Sequence, residues 1–256
     1  MPAPSLSARD YLVLWYAWQQ RFMSLRQYGR LFWPQASQRA ARDRLDTLRT
    51  AGLLTAERFQ VGRDRTLYLS TRQGNKSLVE AGLLEPALAT DYRRRKQDMT
   101  LNLDHDLRVT DLRIALEESG AIPLSWISDH QLRQTRGSAG PYTRFPDGLF
   151  EWEAGGVLRK GLLEFENSWY NRDRWPKILL RLRANYGDRH VFMVCRTPER
   201  VLSATAAIHA TKVFADKPQG LCVAAFPDVD QKGLNAGFRD LEGRLFEAGA
   251  CTVSGA

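Results

Sequence analysis

The chain has 256 residues, 43% of them hydrophobic, and a formal net charge of +8, which suits one large globular domain or two modest ones. Its three cysteines (Cys195, Cys222, Cys251) are widely spaced and form no C-x-x-C pair, which argues against a disulfide framework and a zinc ribbon. No run approaches the roughly 18 apolar residues of a membrane span, and the aromatic N-terminus lacks the shape of a signal peptide. A soluble cytoplasmic protein with no membrane partner is expected.

The charge is local. Residues 1–100 carry 17 Lys and Arg against 9 Asp and Glu, whereas residues 101–256 carry 20 of each. An even spread could serve solubility alone; this asymmetry points the first part at a polyanion.

In chain order, "ARDYLVLWYAWQQRF" has a broad apolar helical face that includes Leu12, Trp15, Tyr16 and Phe22. "SLRQYGRLFW" predicts a short second helix from about Ser24. "PQASQRAARDRLDTLRTAGLL" predicts a third, with Pro34 ahead of it, Gly52 as its stop and Ala41, Leu45 and Leu48 inward. Gln38, Arg39 and Arg42 fall at or near the opposite face, at the end that would enter a major groove. Two strand-like runs flank "QVGRD", so a β-hairpin follows, with Arg58, Arg63 and Arg65 around its tip. "RQGNKSLVEAG" predicts a closing helix. The order is that of a winged helix-turn-helix spanning 1–84, expected to bind double-stranded DNA; protein contact through the same fold is the competing use. Pro86 and the basic run Arg93 to Lys96 mark 85–100 as a linker, either tracking phosphate or simply solvated.

From 101 the pattern becomes mixed α/β (α+β). "LNLDHDLRVTDLRIALEESG" predicts a helix with Leu101, Val109, Leu112 and Leu116 on a buried stripe that also carries His105. "IPLSWIS" reads as a strand. "FPDGLFEWEAGGVLRKGLLEFENS" reads as two strands joined around Gly155 and Gly156. A helix ("RDRWPKILLRLRANYG"), a strand ("HVFMVCRT"), a helix ("ERVLSATAAIHATKVF"), a strand ("GLCVAAF") and a last helix ("AGFRDLEGRLFEAG") complete the order.

Glu164 and Glu166 lie two apart in an otherwise apolar strand, hence on one face of the sheet. Such a pair repels, and burial would add to the cost. If the hairpin closes at Gly155–Gly156, Asp147 joins them at one end of the sheet. Three hard oxygen ligands suit Mg²⁺ or Mn²⁺, which would offset the repulsion and serve phosphodiester cleavage. The alternatives are salt bridges from Arg172, Arg174 and Arg181 to the glutamates, and a plain turn role for Asp147 within Pro-Asp-Gly.

Across its length the chain resembles the replication-relaxation proteins, which include the MobC-type relaxases of mobilisable plasmids. The resemblance runs through the winged-helix half, "HDLRVTDLRIAL", "PDGLFEWE", "GLLEFENS" and "WPKILLRLRANY". It implies a restriction-endonuclease-like PD-(D/E)xK domain over 101–256, with core order α-β-β-β-α-β. It matches Asp147 to the family aspartate and Glu164 to the first acid of (D/E)xK. Glu166 stands at the lysine position, and Lys177 on the next helix is the candidate migrated lysine. His105, on the helix that borders the metal in this fold, becomes a candidate for orienting water; a core histidine is the alternative. Tyr170 and Tyr186 read as well for packing as for holding a cut strand. The implied activity is nicking of one DNA strand at a plasmid transfer origin. Partners would be double-stranded DNA, single-stranded DNA, and accessory mobilisation or coupling proteins. A non-enzymatic replication or transcription regulator, and an endonuclease that cuts both strands, are the rival readings.

Overall fold

The computed structural model describes residues 5–59, 66–89, 96–136, 145–167 and 175–246. The chain divides into two compact units, Met1–Thr110 and Asp111–Ala256.

The first unit opens with helix α1 (Ala8–Gln20). The Ser7 hydroxyl accepts from the Asp10 amide, and the Asp10 carboxylate accepts from the Ser7 amide at 2.7 Å, a reciprocal cap. Strand β1 (Phe22–Ser24) and helix α2 (Leu25–Phe32) follow, α2 being capped the same way by Ser24 and Gln27. Helix α3 (Gln38–Thr50) buries Ala41, Leu45 and Leu48, the inward face expected from the sequence. Strands β2 (Leu54–Arg58) and β3 (Thr66–Ser70) pair antiparallel, where the sequence predicts the wing, and α4 (Arg72–Glu80) follows. The sheet is antiparallel in the order β1-β3-β2. One expectation is corrected here. Phe22 is not part of α1: Arg21 adopts φ +67 and ends the helix, so Phe22 enters β1 opposite Leu69.

Helix α5 (Lys96–Glu118) begins earlier than the sequence pattern suggested. Its Leu103 and Leu107 pack with Phe22, Phe59 and Leu67, and the Gln27 side-chain amide donates to the Leu107 carbonyl at 2.8 Å. That stretch of α5 is therefore core of the winged unit. No helix among the described residues is long and apolar enough to cross a membrane.

The second unit is built on a six-stranded mixed sheet, in the order β4 (Ile127–Ser128), β5 (Gly148–Ala154), β6 (Val157–Glu166), β7 (His190–Cys195), β8 (Leu221–Ala225), β9 (Arg239–Asp240). Helix α6 (Asp129–Arg136) follows β4. The β5–β6 hairpin pairs Ala154 with Val157 across Gly155 and Gly156. Both glycines have positive φ, 60° and 74°, the backbone that a two-residue hairpin turn of matching twist requires. Strands β6, β7 and β8 run parallel, connected through α7 (Trp175–Tyr186) and α8 (Pro198–Ala210). Both helices pack with Leu149, Leu162, Val191, Met193, Cys195, Leu221 and Val223, which share one face of the sheet. Phe150, Trp152 and Phe192 fill the other face with Phe238 and Phe246.

Two expectations fail in this unit. "IPLSWIS" is a strand only at Ile127–Ser128, because Leu124 turns the chain with φ +66. The stretch expected as a last helix holds β9 and turns. The Asp240 carboxylate accepts from the amides of Glu242 and Arg244, and Gly237 and Gly243 have positive φ; a helix excludes both features. A short α9 (Phe226–Lys232), unforeseen, follows β8.

Candidate functional site

The basic residues expected to meet DNA separate into two kinds. Gln38 and Arg39 open α3 in full exposure, and Arg39 forms only a loose pair with Asp43 at 3.8 Å. Arg42 lies one turn further on, and Arg58 ends β2; both are exposed. These four therefore sit on α3 and the adjoining wing strand, as a winged helix would present them. Arg63 and Arg65 lie outside the described residues.

In the second unit the carboxylates are positioned by strand register. Gly148, the first residue of β5, pairs with Leu163, and Asp147 lies one residue before it. The Asp147 amide donates to the Leu163 carbonyl at 3.1 Å, one position out of the ladder's register, so the regular pairing begins only at Gly148. Glu166 follows Glu164 on one face of β6 by the two-residue period. In the parallel pairing on the other side, Glu164 lies beside Met193 and Glu166 beside Cys195. Both glutamates thus belong to the α7–α8 face at the C-terminal ends of parallel strands, where open α/β sheets present their ligand crevices, and Asp147 reaches the same end of β6.

The glutamates are deeply buried, at 2% exposure for Glu164 and 5% for Glu166, while Asp147 is half-buried. One oxygen of Asp147 accepts from the Phe165 amide at 2.7 Å. Burial first, and then the charge of Glu166, push the neighbouring Cys195 thiol up to about 12. Cys195 is therefore a neutral thiol near neutral pH and a poor nucleophile.

Two arginines that the sequence did not single out stand beside this face. Arg196 donates to the Asn167 side-chain carbonyl at 3.0 Å, and Arg200 to the Asn167 main-chain carbonyl at 2.9 Å. The Arg196 amide also donates to the Glu166 carbonyl at 3.2 Å. Their position just past the end of "HVFMVC" was the available signal, since that is the loop end of a parallel strand. Of the arginines expected as salt-bridge partners, Arg172 and Arg174 lie outside the described residues, as does Tyr170, while Arg181 is half-buried on α7.

The remaining candidates fall elsewhere. α7 turns Trp175, Ile178, Leu179, Leu182 and Tyr186 inward, and Lys177 is exposed on the opposite side of that helix. A phosphate-neutralising role for Lys177 therefore has no geometric basis. Tyr186 is core. His105 lies in the first unit, half-buried, with Nδ1 3.3 Å from an oxygen of Asp106. Asp106 in turn accepts from Arg21 at 3.4 Å.

The donor set is one of hard oxygens. Among the described residues, no group of three or more His, Cys, Asp or Glu side chains is arranged to hold a metal ion. Mg²⁺ in phosphoryl chemistry is commonly held by one or two carboxylates and completed by substrate phosphates and water. Asp147 and Glu164 suit that kind of site by their chemistry.

A model of the replication-relaxation family matches residues 18–175, more than half of the chain. No curated protein matches the sequence. Among solved structures, the restriction endonuclease FokI bound to DNA aligns with 90% of this chain at 9% identity and a TM-score of 0.27. The chain spans 46% of that protein's chain, and a likeness this slight does not define a fold.

Proposed function

The chain belongs to the replication-relaxation family, and on that premise we propose that it is a DNA-nicking relaxase of the MobC type. Its winged unit would bind double-stranded DNA at a plasmid transfer origin. Its second unit would cut one strand, and the separated single strand and accessory mobilisation or coupling proteins would be its further partners.

The observation that carries this reading is the hydrogen bond that brings the Asp147 carboxylate to the Phe165 amide, between Glu164 and Glu166, whose side chains share one face. The element order supports it as well. α5, β4, β5, β6, α7 and β7 follow the α-β-β-β-α-β order of the PD-(D/E)xK nucleases, with α6 inserted after β4. Asp147 and Glu164 would hold Mg²⁺ or Mn²⁺, with Glu166 next along the same face, and the bound ion would polarise a phosphoryl oxygen and acidify a water. The Phe165 amide would fix the rotation of the Asp147 carboxylate. Arg196 and Arg200, anchored on Asn167, would supply positive charge beside the cleaved phosphate.

Supercoiled plasmid carrying its own mobilisation region tests the proposal, incubated with Mg²⁺, Mn²⁺ or EDTA. Nicked circles with metal, and none with EDTA, are expected. A regulator that binds DNA without cutting is the second reading, and a specific observation favours it: Asp147 already serves the backbone through Phe165, a purely structural use. Uncut plasmid in every lane, together with no saturable Mn²⁺ uptake, decides for the regulator.

A further inference from the structure

A groove of about 540 Å³ runs between α3 and the wing, lined by Arg42, Asp46 and Arg49 from α3, Arg58 from β2 and Tyr68 from β3. Its charge is uneven. Arg49 is held by Asp46 at 3.2 Å, whereas Arg42 and Arg58 take part in no ion pair among the described residues. Three guanidinium groups against one carboxylate leave a local excess of two positive charges. Like charges gathered in a concave wall raise the local affinity for an anion and repel one another without it.

The floor of the groove is built rather than incidental. The Tyr68 ring is packed against Tyr28 at 6.1 Å and is only 4% exposed. Its hydroxyl belongs to the same electrostatic group as Asp46, Arg42 and Arg49. Burial and then the Asp46 charge push its ionisation up, against a smaller opposing pull from the two arginines. The hydroxyl therefore stays protonated and can donate a hydrogen bond to an anionic oxygen.

We propose that this groove seats backbone phosphates of duplex DNA, with Arg42, Arg49 and Arg58 neutralising them and Tyr68 donating to a phosphate oxygen. Duplex DNA is the occupant because the groove lies between the two parts of a winged helix that flank a DNA strand, the recognition helix and the wing. The assignment rests on the DNA-binding part of the proposed function and is independent of any cutting. It also changes the expected part of Arg42: the residue holds the backbone and does not read bases. A phosphate contact positions the protein and carries no sequence information.

The test uses the full chain and a 30-bp mixed-sequence duplex, with binding measured by fluorescence anisotropy over a salt series. Each phosphate contact contributes about 0.9 to the slope of log affinity on log salt. Arg42→Ala, Arg49→Ala and Arg58→Ala should each flatten the slope by about that amount and weaken several unrelated duplexes by the same factor. Tyr68→Phe keeps the ring and should lower affinity a few-fold with the slope unchanged. Thermal melting of each variant separates lost contact from lost fold, and Arg58→Lys, which keeps the charge, should restore the slope. Wild-type slopes in folded arginine variants overturn the groove assignment while leaving DNA binding in place. A change of sequence preference in Arg42→Ala overturns it too, because that marks a base contact. Wild-type protein that ignores duplex DNA at low salt overturns the groove and the DNA-binding reading together. Saturable binding of inorganic triphosphate or single-stranded DNA, with none of duplex, overturns the choice of occupant.

Discussion

The Asp147 carboxylate accepts a hydrogen bond from the amide of Phe165 at 2.7 Å, which ties the start of β5 to the residue between the two buried glutamates. This contact fixes the aspartate whatever else the crevice holds. It also allows structure and chemistry to be separated by substitution. Asp147→Asn retains a carbonyl oxygen for Phe165 but loses the charge, so the melting temperature should stay near wild type while nicking is abolished. Asp147→Ala loses both, and should cost about 1–3 kcal/mol of stability by leaving a buried amide without its acceptor. Equal activity in wild type and Asp147→Asn would remove the aspartate from the chemistry.

Glu166 tests the second half of the site. A buried carboxylate two residues from another is tolerable when positive charge offsets it. If a divalent ion supplies that charge, Glu166→Gln should be neutral or stabilising without metal, and should weaken Mn²⁺ uptake measured by calorimetry. If protein cations supply it, the same substitution destabilises the fold with or without Mn²⁺. Differential scanning calorimetry with and without the ion distinguishes the two.

Asp10 and Arg44 give a pH dependence of known sign. Burial raises the Asp10 pKa, but the hydrogen bonds from Arg44 and from the Ser7 hydroxyl and amide, with the Arg44 charge, outweigh it and hold the carboxyl below its usual range. A depressed folded pKa means that the stabilisation is fully present above the unfolded value, near 3.9, and is lost as pH falls through the lower folded one. Arg44→Ala should cost about 1.5–3 kcal/mol at neutral pH. It should also move acid unfolding of this unit to higher pH, followed by circular dichroism. An unchanged acid midpoint would mean that the pair contributes nothing net.

His105 and Asp106 are expected to act on the fold. The histidine lies beside Asp106, which holds the nearly buried Arg21 at the turn out of α1. Asp106→Ala should lower stability by about 1–3 kcal/mol, because it deprives that guanidinium of a charged acceptor. His105→Gln should leave nicking within a few-fold of wild type. Loss of nicking by orders of magnitude at an unchanged melting temperature would return His105 to the chemistry.

What the sequence determined was whatever depends on short-range periodicity. The inward face of α3, the start of α2 at Ser24, the paired turn glycines Gly155 and Gly156 and the shared face of Glu164 and Glu166 are all readable within a dozen residues. Each follows from backbone geometry alone, a period of 3.6 or of 2 and the freedom of glycine at positive φ. The side of α7 that Lys177 occupies was equally readable, since five inward residues define the opposite face. The tertiary structure decided what joins distant segments. Asp147 needed the β5–β6 register to meet Phe165. His105 went to Asp106 and the winged unit because Leu103 and Leu107, on the same helix, pack against Phe22 and Phe59. Arg42 and Arg58 are 16 positions apart, yet line one groove with Tyr68. In the last segment Asp240 captured two amides, and a helix-like run became a strand and turns. A local pattern specifies which face a residue takes, but its neighbours across the fold are set by packing and strand pairing, which the pattern does not encode.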